Sequence, residues 1–351
     1  MPPADPLAEG RRILAICNAC RYCEGYCAVF PAMEHRPDFA APDLHYLANL
    51  CHNCAECYYA CQYAPPHAFA VNVPQVLAEI RLDSYRHYAR PRFLFQDGAR
   101  LALITLAISL AAGLVQLVAG VGQALPPANS FYSVIPHWLM VAIFGVVSLL
   151  VLAALAAGVA QVPSLPRLTS RPVLERVLRS ILSLEYLSSG GAGCTYPGAR
   201  HSQARRWFHH CTFYGFFLCF ASTTVAAFYH YVLALRAPYP YLSLPVVLGT
   251  LGGAGLLIGP SGLYWLKGRR DEAIADPAQD DLDLTFLALL FGTSFTGLLL
   301  LALRQSPLMG VLLVIHLATV LALFVTLPYG KFVHGVYRAA ALWRYAADSD
   351  S

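Results

Sequence analysis

Two runs of cysteine carry the plainest chemistry in this sequence: Cys17-x2-Cys20-x2-Cys23-x3-Cys27 and Cys51-x2-Cys54-x2-Cys57-x3-Cys61. Three cysteines so spaced on a tight loop can wrap three irons of one cubane, and the fourth points away toward a neighbouring cube. This is the spacing of two-cluster bacterial ferredoxins. It assigns Cys17, Cys20, Cys23 and Cys61 to one 4Fe-4S cluster, and Cys51, Cys54, Cys57 and Cys27 to a second. Zinc is the competing use, but a structural zinc site takes four ligands as two separated pairs, which two four-Cys runs fit poorly. The ferredoxin pattern sets proline directly after the last cysteine, whereas Pro31 and Pro65 come four residues later. That alters the local turn and leaves the ligand set intact. Two adjoining cubanes carry single electrons and offer no site to an organic substrate. His35, His45, His52, His67 and His87 read as surface or supporting residues.

A second set of candidates lies in apolar sequence, where ionisable side chains are costly and so mark function. His209, His210 and His230 share one apolar stretch, while His316 and His334 lie in and just beyond another. The separations from His210 to His230 and from His316 to His334 correspond to about 30 and 27 Å along a helix. Antiparallel neighbours would bring His210 level with His334, and His230 level with His316. Imidazole is a standard axial ligand of haem iron, so this matching is what one or two b haems across a membrane need. Gly215, Ser222 and Thr223 in one stretch, and Gly292 and Gly297 in another, would let a flat ring approach the backbone. No C-x-x-C-H occurs, so covalent haem attachment is excluded. His209 reads equally well as an interfacial histidine, and His137, after Pro136, as an interfacial residue or the lining of a quinone pocket. Cys194, Cys211 and Cys219 read as small apolar packing residues.

These groups need a frame, and composition says which kind. The 351 residues are 57% hydrophobic and 13% charged, against about 25% charged in an average soluble domain. Much of the surface therefore does not face water. Residues 1–96 form a small polar domain around the cysteines, and residues 97–351 a membrane domain. Six apolar stretches, at about 97–122, 137–161, 207–235, 243–266, 284–303 and 307–330, each approach or exceed the ~20 residues that cross the hydrocarbon core. With no water to satisfy the backbone, each must be a helix. The fold class is all-α: a two-cluster ferredoxin-like domain plus a six-helix transmembrane bundle.

The connections near 123–136, 236–242 and 304–306 hold only Arg236 and Arg304. The other basic residues lie on the opposite side, which places both termini and the cluster domain in the cytoplasm. No apolar leader opens the chain, so the expected location is a bacterial inner membrane. The segment 171–187 is amphipathic and suits either the membrane surface or a dock for the cluster domain. The glycines of the fourth span read as close helix packing. The net charge of +4 gives no nucleic-acid footprint.

With two ferredoxin motifs before six spans, the block Ala204-Arg-Arg-Trp-Phe-His-His-Cys-Thr-Phe-Tyr-Gly, Cys219-Phe-Ala-Ser-Thr-Thr and Tyr229-His-Tyr resembles the tricarballylate utilization protein B family, also called citrate utilization protein B. The resemblance implies a partner: a separate FAD-dependent dehydrogenase that oxidises tricarballylate to cis-aconitate. The B protein reoxidises its flavin and passes electrons to the quinone pool. The paired histidines are also similar to those of the cytochrome b subunit of nitrate reductase, by analogy only. The expected role is therefore an oxidoreductase component without its own organic-substrate site. No dinucleotide fingerprint is present, so the flavin belongs to another chain. Alternatives are a subunit of another quinone-linked complex, of heterodisulfide reductase or nitrate reductase gamma type, and a redox-sensing transporter.

Overall fold

The structure is a computed structural model and describes residues 5–36, 38–120, 131–166, 170–195 and 198–349. Five short helices come first: α1 (Pro6–Cys20), α2 (Val29–Glu34), α3 (Ala41–Leu50), α4 (Glu56–Tyr59) and α5 (Val73–Tyr88). Their starts are encoded locally. Asp5 accepts a hydrogen bond from the Leu7 N–H ahead of α1, Asn72 accepts one from Gln75 ahead of α5, and each helix carries proline in its first turn. Leu14, Leu44, Leu47, Leu77 and Ile80 are buried between α1, α3 and α5.

The remaining helices are α6 (Gly98–Gly120), α7 (His137–Val159), α8 (Arg171–Ser183), α9 (Ala204–Tyr231), α10 (Leu244–Lys267), α11 (Asp280–Ala302), α12 (Met309–Thr326) and α13 (Val333–Asp348). A two-stranded antiparallel ribbon, β1 (Cys194–Thr195) with β2 (His201–Ser202), precedes α9. Six helices, α6, α7, α9, α10, α11 and α12, are long and apolar enough to cross a bilayer. They match the six expected stretches. The connection expected at 123–136 lies largely outside the described residues, as do the last two residues of the expected first span. Leu103, Ile108, Val115, Leu149 and Leu152 on α6 and α7 point outward and are more than half exposed, as a lipid-facing wall requires.

Helix α9 packs along α10, α10 on α11, α11 on α12, and α12 on α6 and α7. Glycine sets the closest of these approaches. A Cβ on Gly252 would stand 2.8 Å from the Cys219 nitrogen and from the Gly215 oxygen, so α9 and α10 meet backbone to backbone. Gly215 therefore faces α10. The room it was expected to give a flat ring is taken by the neighbouring helix.

Where the bundle meets the cluster domain, charges tie the helix ends. Asp283 of α11 lies 2.6 Å from Lys267 of α10 and 2.7 Å from Lys331, just before α13. Asp280 takes Lys267 at 2.8 Å and Arg270 at 2.6 Å. Lys331 donates to Gln279, whose amide donates to the Ala78 carbonyl of α5.

Helix α13 completes the first core. Ala341 and Leu342 are buried among the α1–α5 side chains. Arg36 pairs with Asp348 at 2.9 Å, Arg344 with Asp43 at 3.4 Å, and both guanidiniums lie over the Tyr46 ring. The amphipathic segment forms α8, whose Val173 and Val177 pack on Ala346 of α13. Its Leu174, Leu178 and Leu182 make a second stripe, about half exposed. One helix thus packs on the N-terminal domain through α13 and keeps an apolar edge outward.

Candidate functional site

The first cysteine group is built from two distant motifs. Cys17 and Cys20 end α1, Cys23 follows in the next turn, and Cys61 comes just after α4. Cys17, Cys20, Cys23 and Cys61 line one cavity of about 240 Å³, with Ile16, Phe30 and Val71 behind them and Cys57 of the other group at its wall. Burial, with Cys23, Cys61 and Cys20 next, pushes the Cys17 thiol up to about 12. Burial, then Cys61 and Cys20, does the same to Cys23. The second group is more deeply set. Burial, then Cys54 and Cys51, raises Cys27 well above the usual thiol value, and Cys57 is raised by burial with Cys54, Cys51 and Cys27. The chain therefore brings Cys61 to the first motif and Cys27 to the second. Thiolates crowded in this way hold their charge only if a cationic centre sits among them.

Among the described residues no three His, Cys, Asp or Glu side chains converge tightly enough to hold a single metal ion. The thiols of the first group instead line a common hollow. Backbone amides point at the sulfurs two residues behind them: the Asn53 N–H donates to Cys51 Sγ and the Tyr63 N–H to Cys61 Sγ, both at 3.4 Å. Such bonds favour thiolate and tune a cluster. Within the motifs Arg21, Asn53 and Ala55 adopt left-handed φ of 56°, 51° and 66°. Left-handed backbone at non-glycine residues is strained and clusters at functional sites.

Three arginines surround the loop of the second group. Arg81 Nε donates to the Ala48 carbonyl at 2.9 Å, and Arg338 Nε and Nη2 to those of Asn49 and Cys51 at 3.2 and 2.6 Å. Arg205 Nη1 donates to the Asn53 carbonyl at 2.8 Å. Burial, then Arg338, Arg205 and Arg81, holds His52 well below its ordinary value and therefore neutral.

Beyond His52 a slot separates the backbone of α9 from those of α7, α12 and α13. No extended backbone packing joins α9 to α7, α12 or α13 among the described residues. Side chains bridge the gap instead. Phe216 meets Phe332 with ring centroids 5.7 Å apart, and His209 meets His334 at 6.1 Å with rings crossed at 74°. His334 Nδ1 lies 2.6 Å from the Lys331 carbonyl. That oxygen only accepts, so Nδ1 holds the proton and Nε2 keeps its lone pair, the tautomer of a histidine prepared to bind a metal. His209 Nδ1 is buried without a hydrogen-bond partner. The two imidazoles thus meet across the gap between α9 and α13.

The other expected histidines are arranged differently. His210 stacks on Tyr214 at 5.7 Å, beside Trp207, and Tyr214 donates to the Leu182 carbonyl. It is turned toward α8, and His209 takes the place facing His334. The reason is helical: Trp207, His210 and Tyr214 share one face of α9, while His209 and Phe216 share the face that looks into the slot. His316 bonds Thr296 Oγ1 at 3.1 Å and fills the notch at Gly297 of α11. His230 stacks on His137 at 4.1 Å, both beside Tyr132. The expected His230–His316 match is thus replaced by a His230–His137 contact. The exposed Trp207, three residues before His210, was the signal in the sequence for which of the two adjacent histidines turns away. The three arginines carried no such signal, because their shared target appears only on folding.

The family model described as citrate utilization protein B matches residues 96–351, and that of the citrate utilization protein B Fer4-like domain matches residues 10–87. Citrate utilization protein B of Escherichia coli is 47% identical over 352 residues, covering 98% of this chain and 93% of that protein. No solved structure matches the chain.

Proposed function

The chain belongs to the citrate utilization protein B family, and on that premise we propose that it is the membrane electron-transfer partner of a separate FAD-dependent dehydrogenase of tricarballylate type. It reoxidises the reduced flavin of that partner and delivers the electrons to the quinone pool. The cluster domain then lies on the cytoplasmic side of a bacterial inner membrane, as the distribution of Lys and Arg supports.

The observation that supports this reading is the nearness of Cys61 to Cys17 and Cys23, and of Cys27 to Cys51, Cys54 and Cys57, across two motifs distant in sequence. In this assignment each set holds one 4Fe-4S cluster, and His209 with His334 holds a haem b. These groups supply one-electron chemistry when bound, which lets a two-electron flavin feed a membrane carrier. The protein's part is to hold and tune. Buried thiols fix the metals, backbone amides at Asn53 and Tyr63 bond the sulfurs, and the Lys331 carbonyl orients the His334 ring. His52, buried and neutral, stands between the fields of the same arginines and His209. At the other end, the rim of the first group carries Tyr22, which is 66% exposed, and Phe69, 47% exposed. A redox partner can reach that side.

Iron, acid-labile sulfide and haem quantitation on the detergent-extracted chain, with paramagnetic resonance, tests the assignment. Two 4Fe-4S clusters per chain, and haem absorbance that changes when the reduced dehydrogenase is added, are expected. Zinc in place of iron, with no sulfide, would overturn it.

A further inference from the structure

The two cysteine groups sit in unlike electrostatic surroundings. Near the first, the ionised side chain whose field reaches Cys23 is the carboxylate of Glu56. The nearest guanidinium in that motif, Arg21, is more than half exposed and pairs loosely with Glu34 at 3.7 Å, so solvent and its partner screen it. The second group is ringed by cations. Arg81 is 6% exposed, and its Nη2 has no hydrogen-bond partner. Arg338 is half-buried beside Cys51, and Arg205, also half-buried, closes the ring on the side of α9.

All three arginines donate to backbone carbonyls of residues 48–53, and among the described residues neither Arg81 nor Arg338 pairs with a carboxylate. A buried guanidinium without a counter-charge is strongly unfavourable. The negative charge that would offset these lies in the thiolates of Cys51, Cys54, Cys57 and Cys27. The loop is also polarised in one sense. At Asn53 the N–H points to the Cys51 sulfur while the carbonyl accepts from Arg205, so donors face the thiolates and acceptors face the guanidiniums.

We propose that Arg81, Arg205 and Arg338 make the cluster of the second cysteine group the higher in reduction potential, so that an electron received at the exposed first group is drawn toward the helix bundle. The inference rests on the cluster assignment above. Reduction adds one negative charge, and buried positive charge stabilises the reduced form; net charge, hydrogen bonds to sulfur and exposure are the protein's levers on cluster potential. The transfer balances simply: the first cluster is oxidised by one electron, the second is reduced by one, and the reduced flavin of the partner supplies the electron. The arginines touch neither reactant, so they are positioning residues.

A redox titration of the intact, cluster-loaded protein, followed by paramagnetic resonance, provides the test. In the wild-type chain two one-electron steps are expected. In Arg205→Gln and Arg338→Gln the higher step alone should move to lower potential. The reduced-to-oxidised ratio of that cluster at a fixed poise should fall about tenfold, which is about 59 mV for one electron. Arg338→Lys keeps the charge and should restore most of the shift, which a merely structural role would not do. Arg205→Gln, farther from the α13 contacts, covers the case in which Arg338→Gln fails to fold. No shift, an equal shift of both steps, or a shift of the lower step alone overturns the inference while leaving the cluster assignment standing. Absence of both cluster signals from the wild-type protein would instead defeat the assignment itself.

Discussion

At the cluster end of the bundle, His209 and His334 face each other across 6.1 Å with crossed rings. At the far end, His137 and His230 lie in contact, nearly parallel at 4.1 Å. Each pair takes one histidine from α9, and each bridges the same slot. The difference lies in what holds the rings. His334 is fixed by the Lys331 carbonyl, and Lys331 by Asp283, which also binds Lys267. The far pair stands among Tyr132 and Tyr231, and Arg304 at that end is spent on the Tyr239 carbonyl and the Tyr241 ring. An ionic frame keeps one pair apart with a chosen tautomer, while an aromatic cluster lets the other collapse. Two histidines across a helix pair are therefore not enough to make a ligand site; the frame behind them decides.

The strongest way to break this contrast is to remove one histidine at a time. His209→Ala and His334→Ala should abolish the haem absorbance of the purified protein, while His210→Ala and His230→Ala should keep it. The reverse pattern would shift the ligand site to the far end. Next in size is the frame. Asp283→Asn leaves Lys331 without a carboxylate, while Lys267 keeps Asp280, and should cost about 3 kcal/mol, read as thermal unfolding in detergent.

A smaller effect should appear with pH. Burial outweighs Asp83 and lowers the pKa of His45, which is hydrogen-bonded to Asp83 and Tyr88. The unfolded chain takes up a proton near its ordinary value of about 6.5 before the folded one does. Stability is thus full above that pH and is lost as pH falls below it, by up to about 1.4 kcal/mol per pH unit. His45→Gln should flatten that slope, and an unchanged slope would remove His45 from the account. Least of all, breaking the exposed Arg171–Glu175 pair, whose side chains are 89% and 64% exposed, with Arg171→Ala should cost under about 0.5 kcal/mol. It sets the baseline against which the buried frame is judged.

What could be read from the residues alone followed from local or solvent-imposed rules. The span expected at 137–161 is His137–Val159, and the one at 243–266 is Leu244–Lys267, because hydrocarbon thickness leaves little freedom in length. Cysteine spacing is equally local, and it indicated the crossing of Cys27 and Cys61 between motifs. Helix partnering is not local. Nothing in the sequence of α12 says that His316 fills a notch at Gly297, nor does Arg338 announce that it reaches Cys51. The choice between His209 and His210 was accessible in principle from the face shared by Trp207 and Tyr214. The expected pairing weighed level along the membrane and not angle around the helix.

The closing of the first core by Ala341 and Leu342 of α13 also has a meaning in time. During synthesis those residues leave the ribosome only after all six spans, so the surface they cover on the opening domain stays bare throughout membrane insertion. The cysteine loops, already made, meanwhile wait in a shell lacking one wall. Any metal those thiols take up would find its widest access in that interval, before the last helix shuts the door.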